Sequence, residues 1–258
     1  MALKITRPVT LMSDNKPCPP HPVLPTYYRT EGDRVAFVRS IFDRTAQYYD
    51  RINAIFSLGT GRWYRRRMLQ VAGLKPGQML LDVATGTGLV AQEAVRITGA
   101  GNVIGLDMSP GMLAECRRKL PISVVLADAQ KLPLADGSVD MLSMGYALRH
   151  VQDLNATFGS FLRVLKPGGN LLILEIGRSG SRRAQSLMRF YLGKIVPFLS
   201  GVTASQDSRT LMTYYWDTIE ECVAPERILA SLRDAGFTNV RKQTHFGVFH
   251  AYMATRSR

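Results

Sequence analysis

The stretch Met79-Leu-Leu-Asp-Val-Ala-Thr-Gly-Thr-Gly88 leaves this chain few folds to adopt. Apolar residues run into Asp82, a glycine turn follows, and Leu89 to Arg96 then carries apolar residues at helical spacing, which reads as strand, loop and helix. Gly86 and Gly88 have no Cβ, so the backbone can bend sharply there and come close to a ligand lying across the strand end. Val103 to Asp107 and Val124 to Asp128 repeat the pattern, each an apolar strand that ends in a carboxylate.

Two cofactor types fit such a turn. Gly86-x-Gly88-x-x-Ala91 satisfies the dinucleotide fingerprint, but a pyrophosphate would add negative charge beside Asp82. S-adenosylmethionine brings an ammonium and a sulfonium instead, which a carboxylate there attracts. Asp107 follows about 20 residues beyond the turn, the distance expected of an acid that grips ribose hydroxyls, and suits either cofactor. Asp128 then stands where an adenine amino group can donate to it. The alternative is that the three aspartates are N-caps of the helices that follow.

Length bounds the rest. A chain of 258 residues with 46% hydrophobic content closes one α/β core and some added helices. Residues 1–30 read as a flexible Pro-rich arm and 31–258 as a single domain, with N-terminal helices over 31–75 and a helical acceptor lid over 178–224. The lid contains an amphipathic stretch, Leu187 to Leu199, whose basic residues suit docking on the fold or on an anionic bilayer. The net charge of +13 makes an anionic partner or membrane surface plausible, yet no zinc-finger spacing, aromatic RNA-binding pattern or basic zipper is present, so nucleic acid is not expected. Three isolated cysteines fit a reducing compartment rather than a disulfide framework. No run is long enough for a membrane span. The expected location is cytoplasmic, peripheral on the inner face of the membrane, with a homodimer as one form of assembly and no metal.

The fourth strand, near Asp140 to Tyr146, falls at the switch point of a doubly wound sheet, so Tyr146-Ala-Leu-Arg149-His150 is where acceptor contacts are expected. A Lys166-Pro-Gly-Gly169 turn and the strand to Glu175 follow, and a helix and an antiparallel strand pair close the chain. The order Tyr49-Asp50-x-x-Asn53, Ser57, Asp82-x-Ala84-x-Gly86-Thr87-Gly88, Asp107, Leu148-Arg149 and Arg163-Val-Leu-Lys-Pro-Gly-Gly-x-Leu171-x-x-x-Glu175 resembles the ubiquinone/menaquinone biosynthesis C-methyltransferase family. Members of that family methylate a ring carbon of a polyprenylated quinol. The resemblance implies a class I methyltransferase, Rossmann-like α/β fold: a mostly parallel seven-stranded sheet with an antiparallel C-terminal strand and an N-terminal helical lid. The cofactor contacts expected are Asp82, Ala84, Gly86, Thr87, Gly88, Asp107, Met108, Asp128, Ala129 and Gly145.

Departures from the family cluster on the acceptor side. Gly61 and Tyr64 stand where it has His and Trp, Arg149-His150 where it has Arg-Asn, Gly177 where it has Ser, and Tyr214-Tyr-Trp216 in another aromatic stretch. Ring-carbon methylation needs a phenolate-like acceptor, which Arg149 can stabilise by charge and His150 can form as base. Tyr49, Tyr146, Tyr214 and Trp216 are expected to flank the acceptor. Against this stand a structural ion pair for Arg149, local packing for His150 and plain core positions for the aromatics. The expected activity is C-methylation of a quinol-like aromatic. Alternatives are methylation of another aromatic, such as an alkylquinolone or polyketide, and a non-enzymatic nucleic-acid or membrane binder on the same fold.

Overall fold

The computed structural model describes residues 17–56, 59–177, 190 and 206–258. Two helices come first, α1 (Glu31–Phe56) and α2 (Gly61–Val71), as the helical periodicity of the N-terminal region requires. Alternation follows: β1 (Leu80–Val83), α3 (Leu89–Thr98), β2 (Val103–Asp107), α4 (Pro110–Lys119), β3 (Ser123–Leu126), β4 (Val139–Gly145), α5 (Leu154–Val164) and β5 (Leu165–Ile176). The remaining described elements are α6 (Gln206–Glu221), α7 (Pro225–Asp234), β6 (Phe237–His245) and β7 (Phe249–Arg256).

The strands form one seven-stranded sheet in the order β3-β2-β1-β4-β5-β7-β6. β7 runs antiparallel to both neighbours, and the pairings among the first five strands are parallel. Because successive strand residues point to opposite faces, β1 feeds two cores. Leu81 and Val83 pack with Phe158 and Phe161 of α5 and Leu232 of α7. Leu80 packs on the other face with Leu69 of α2 and Ala91 of α3. Helices on both faces are what a parallel sheet demands, since it is apolar on both sides. From β1 the chain first builds outward through β2 and β3, then crosses to β4 on the other side. That reversal opens a crevice at the carboxyl ends of β1 and β4.

The N-terminal arm departs from the sequence expectation. Residues 1–16 lie outside the described residues, but 17–30 are packed rather than free. Cys18 accepts from Leu154 N at 2.9 Å and donates through its own N to Asp153, while Pro20 O accepts from Val223 N at 2.8 Å. Cys18, Leu24 and Tyr28 are buried, and buried Arg34 reaches the carbonyl of His21 at 2.8 Å. Proline-rich sequence has no helical or strand period, yet its backbone groups find partners in loops and its apolar side chains still fill gaps in a core. Most of the expected lid, 178–205 apart from Phe190, also lies outside the described residues, as does the greater part of the basic amphipathic stretch. Its end, 206–221, is helix α6.

Candidate active site

The turn after β1 is built by two glycines with different duties. Gly86 has φ +57 with space around it, so backbone conformation sets its identity. Gly88 caps α3 at φ +88, and a Cβ there would lie 2.7 Å from Leu120 Cδ1 and 2.9 Å from Cys116 Sγ, so it also lets α3 close on α4. Of the three strand-end aspartates, Asp82 alone reaches the first turn of the helix that follows it, at Ala91 N, while Ser109 caps α4 and Asp153 caps α5.

Asp107 turns its carboxylate to the turn, accepting from Gly86 N at 2.8 Å and Ser109 N at 2.9 Å. Burial pushes its carboxyl up to about 6 against those backbone hydrogen bonds. It lines a cleft of about 810 Å³, mouth included, together with Ala84, Gly86, Met108, Asp128, Ala129 and Gly145. Each Asp107 oxygen holds one backbone donor and keeps acceptor capacity for a ligand hydroxyl. Exposed Asp128 adds a second acceptor, while Met108 and Ala129 supply apolar walls. This donor set suits a purine nucleoside with a cationic tail, so S-adenosylmethionine fits the residues present.

Three expected cofactor contacts lie elsewhere. Asp82 is 1% exposed and does not border the cleft. It accepts from Thr85 Oγ1 at 2.7 Å and Ser143 Oγ at 2.6 Å, tying the turn to β4, and burial raises its carboxyl to about 6. Its charge therefore shapes the turn from behind instead of meeting the ligand directly. Thr87 donates to Asp50 of α1, and Gly88 is taken up by helix packing.

A second chamber of about 830 Å³ adjoins the cleft, with walls that include Tyr64, Leu211, Met212 and Phe249 and with highly exposed Trp63 and Phe246 among its lining residues. Tyr49, Tyr146 and Tyr215 line both cavities. The hydroxyls of Tyr49 and Tyr215 are hydrogen-bonded at 2.8 Å. Tyr146 sits at φ +61, a left-handed conformation that costs a non-glycine residue energy, and burial pushes its phenol up to about 12. Tyr215 is raised well above the ordinary phenol value by burial too. Tyr146 and Tyr215 are thus neutral partition walls rather than bases.

Arg149 and His150 follow β4 in a short 3-10 turn, Leu148–His150. Arg149 is fully buried and borders neither of these two cavities. Its guanidinium pairs with buried Glu175, whose other oxygen accepts from Leu148 N at 2.7 Å, and lies 5.3 Å from the Tyr215 ring centroid. The expected direct contact between Arg149 and the acceptor ring is therefore replaced by an ion pair one layer behind Tyr215. His150 does border the donor cleft. Its Nδ1 lies 3.3 Å from the Tyr214 hydroxyl, and its Nε2, shielded from solvent, has no hydrogen-bond partner among the described residues. Burial, and then the Arg149 charge, hold its pKa well below the usual imidazole range.

Tyr214 and Trp216 are core residues here. Tyr214 is fully buried, with Tyr27 and Phe37 edge-on at 5.1 Å and the His150 ring stacked at 5.4 Å. Trp216 packs with Ile41, Ile176 and Ile219. Tyr215 between them is the residue that reaches the cavities, because successive helix positions are rotated by about 100°. Leu211 and Tyr215, four apart, share that chamber-facing side of α6, a spacing that marks it in the sequence.

Two acids of α1 have roles that the sequence did not show: Asp43 carried no signal there, and Asp50 stood only as a letter of the Tyr49-Asp50-x-x-Asn53 motif. Asp43 accepts from Ser109 Oγ and, at 2.9 Å, from Gly111 N, while Asp50 joins Thr87 and, at 2.6 Å, Lys119. Seven residues apart, they lie on one helix face and clamp α1 over the cofactor turn. Beyond β5, Gly177 meets His250: a Cβ on it would stand 2.1 Å from His250 Cε1. His250 is buried, and burial lowers its pKa to about 4.

The strand order, the turn at β1 and the acid at the end of β2 define a class I S-adenosylmethionine-dependent methyltransferase. Solved structures agree on the fold: a methyltransferase from Aquifex aeolicus superposes with TM-score 0.57 at 20% identity, covering 80% of this chain and 98% of its own. A possible histamine N-methyltransferase from Thermotoga maritima gives 0.59 at 20% identity, covering 85% and 99%. Residues 29–256 match the ubiE/COQ5 methyltransferase family, and the chain belongs to it. Similar relatives include demethylmenaquinone methyltransferase of Thermus thermophilus, 32% identical across 84% of this chain and 100% of the relative. The ubiquinone/menaquinone biosynthesis C-methyltransferase UbiE of Shewanella frigidimarina is 33% identical across 83% and 88%.

Proposed function

We propose that the protein transfers a methyl group from S-adenosylmethionine to a ring carbon of a quinol-like aromatic that carries an apolar tail. One observation carries this reading: an aromatic-walled chamber meets the donor cleft at Tyr49, Tyr146 and Tyr215. The names of relatives in the same family, which act on demethylmenaquinone or in ubiquinone and menaquinone biosynthesis, support the substrate class. Bound S-adenosylmethionine supplies an electrophilic methyl group on sulfur. The chain's own work is positioning and exclusion of water. Neutral His150, with its shielded Nε2 beside the cleft, takes the proton of the acceptor hydroxyl; the hydrogen on the methylated carbon then leaves as the hydroxyl is restored, so one proton is released in all. Arg149 favours the developing negative charge from behind Tyr215, and Tyr214 orients the imidazole.

A different ring, such as an alkylquinolone or polyketide, is favoured by the departures that line the acceptor chamber, Gly61 and Tyr64. The two readings part in one assay. Purified protein with labelled S-adenosylmethionine is offered a short-tailed demethylnaphthoquinol, a demethoxybenzoquinol and an alkylquinolone, and the labelled atom is located by mass spectrometry. Label on a quinol ring carbon is expected; label only on the quinolone, or on oxygen or nitrogen, overturns the proposal.

The chamber also supports peripheral attachment to an anionic membrane. Trp63 is 65% and Phe246 82% exposed, and Arg62, Arg66 and Arg67 are exposed on the same helix as Trp63. Aromatics of this kind enter the headgroup region while arginines meet anionic lipids. Co-sedimentation with vesicles containing phosphatidylglycerol is expected to fall at least tenfold in Trp63→Ser/Phe246→Ser; unchanged sedimentation refutes this surface.

A further inference from the structure

The arginines of α2 divide sharply. Arg62, Arg66 and Arg67 are exposed, whereas Arg65 is 5% exposed on the side that carries buried Tyr64, Met68 and Leu69. Two other arginines are as deeply buried, and each has a carboxylate: Arg34 meets Glu31 at 3.1 Å, and Arg149 meets Glu175. Arg65 has no ion-pair partner among the described residues, and its Nε is buried without a hydrogen bond. Its guanidinium carbon lies 5.5 Å from the Tyr146 ring centroid, a contact that leaves the charge uncompensated. A buried cation in this condition is costly unless an anion joins it.

The place for that anion is a third cavity of about 320 Å³, lined by Arg65, Asn53, Thr85 and the first-turn residues Leu89 and Val90 of α3. Gly88 gives this helix no side-chain cap, so its leading N–H groups stay open to a ligand, while buried Asp82 reaches Ala91 N behind them. Ala84, Gly86, Gly145, Tyr49 and Tyr146 line both this cavity and the donor cleft, which makes the two continuous. Asp107 and Asp128 fix the nucleoside end of that cleft, leaving the amino-acid end of the donor to run past Gly86 toward Arg65.

We propose that Arg65 and the first turn of α3 form a carboxylate subsite that takes the α-carboxylate of the methyl donor. The subsite rests on the assignment of the cleft to S-adenosylmethionine and adds to it a residue with a single recognisable duty. Arg65 reads the carboxylate specifically, not the nucleoside. Its position beside Tyr146 places this anchor at the junction with the acceptor chamber, so the donor is held at both ends.

Calorimetry on the full chain tests this with two ligands, S-adenosylhomocysteine and S-adenosyl-3-thiopropylamine, which lacks only the carboxylate. The wild-type protein is expected to prefer S-adenosylhomocysteine by about 10- to 100-fold, the range of a charge-assisted pair. Arg65→Met should erase that preference while leaving the decarboxylated ligand within about twofold, and Arg65→Lys should restore part of it. Ligand-free Arg65→Met should melt at or above the wild-type temperature, since it removes an unpaired buried charge; that measurement separates lost recognition from lost folding. Equal weakening of both ligands, or no change in either, overturns the subsite. Wild-type protein that binds neither ligand removes the cofactor assignment itself, a different result from failure of Arg65 alone.

Discussion

Asp107 sets opposite pH trends for binding and for folding. Its folded carboxyl titrates near 6, above the ordinary carboxylate value, because burial outweighs its backbone hydrogen bonds. Ribose recognition needs the ionised form, so the dissociation constant of S-adenosylhomocysteine should rise about tenfold per pH unit below about 6, measured by calorimetry. Asp107→Asn should bind weakly at every pH and lose that slope. The ligand-free protein moves the other way. Asp82 and Asp107 both bind protons in the folded state at pH values where the unfolded chain does not, so their contribution is complete below the ordinary carboxylate value and is lost as pH rises through about 6. Arg149 makes a second residue-scale prediction. Arg149→Met leaves Glu175 charged and buried, which should cost about 3–5 kcal/mol in chemical denaturation. Arg149→Met/Glu175→Gln should recover most of it. Recovery of stability without recovery of kcat would separate the ion pair's structural duty from its electrostatic one.

The longest described helix, α1, does more than cover the cleft. Through Asp43 it holds the start of α4, and through Asp50 it holds Thr87 and Lys119. Asp43→Ala should lower stability by about 1–2 kcal/mol, the scale of losing a capping acceptor, and weaken S-adenosylhomocysteine about tenfold because Ser109 adjoins Met108 in the cleft. Thermal melts and calorimetry check the two effects. The strands and the glycine turn were legible in the sequence because their signals are local: a short apolar run, a glycine pair and a terminal acid. The clamp was not, since an acid on an amphipathic helix looks the same whether it faces water or a neighbouring turn. α6 shows the finer limit. Tyr214, Tyr215 and Trp216 are adjacent letters, but about 100° of rotation sends one to the cavities and two to the core. Asp82 was read as a ligand contact from its place in the chain, yet pleat direction turned it toward Ser143.

Across the whole molecule, the packed segment 17–30 joins parts distant in sequence: Cys18 with α5, Pro20 with the α6–α7 connection, and Tyr27 with Asp217 at 2.6 Å. Deleting residues 1–28 uncovers apolar surface around Tyr214, and loss of Leu24 and Tyr28 alone should cost about 3 kcal/mol or more by burial. A lowered melting temperature with new binding of a hydrophobic dye is the expected result; an unchanged melt would make the segment dispensable. The contact between Gly177 and His250 ties the end of β5 to β7. The His250 imidazole occupies the volume that a Cβ at position 177 would need. A side chain at 177 is therefore accommodated only if the imidazole of His250 turns to another rotamer. While the ring keeps its present seat, the backbone two residues beyond Glu175 stays bare, and the Arg149–Glu175 pair has no hydroxyl beside it from position 177.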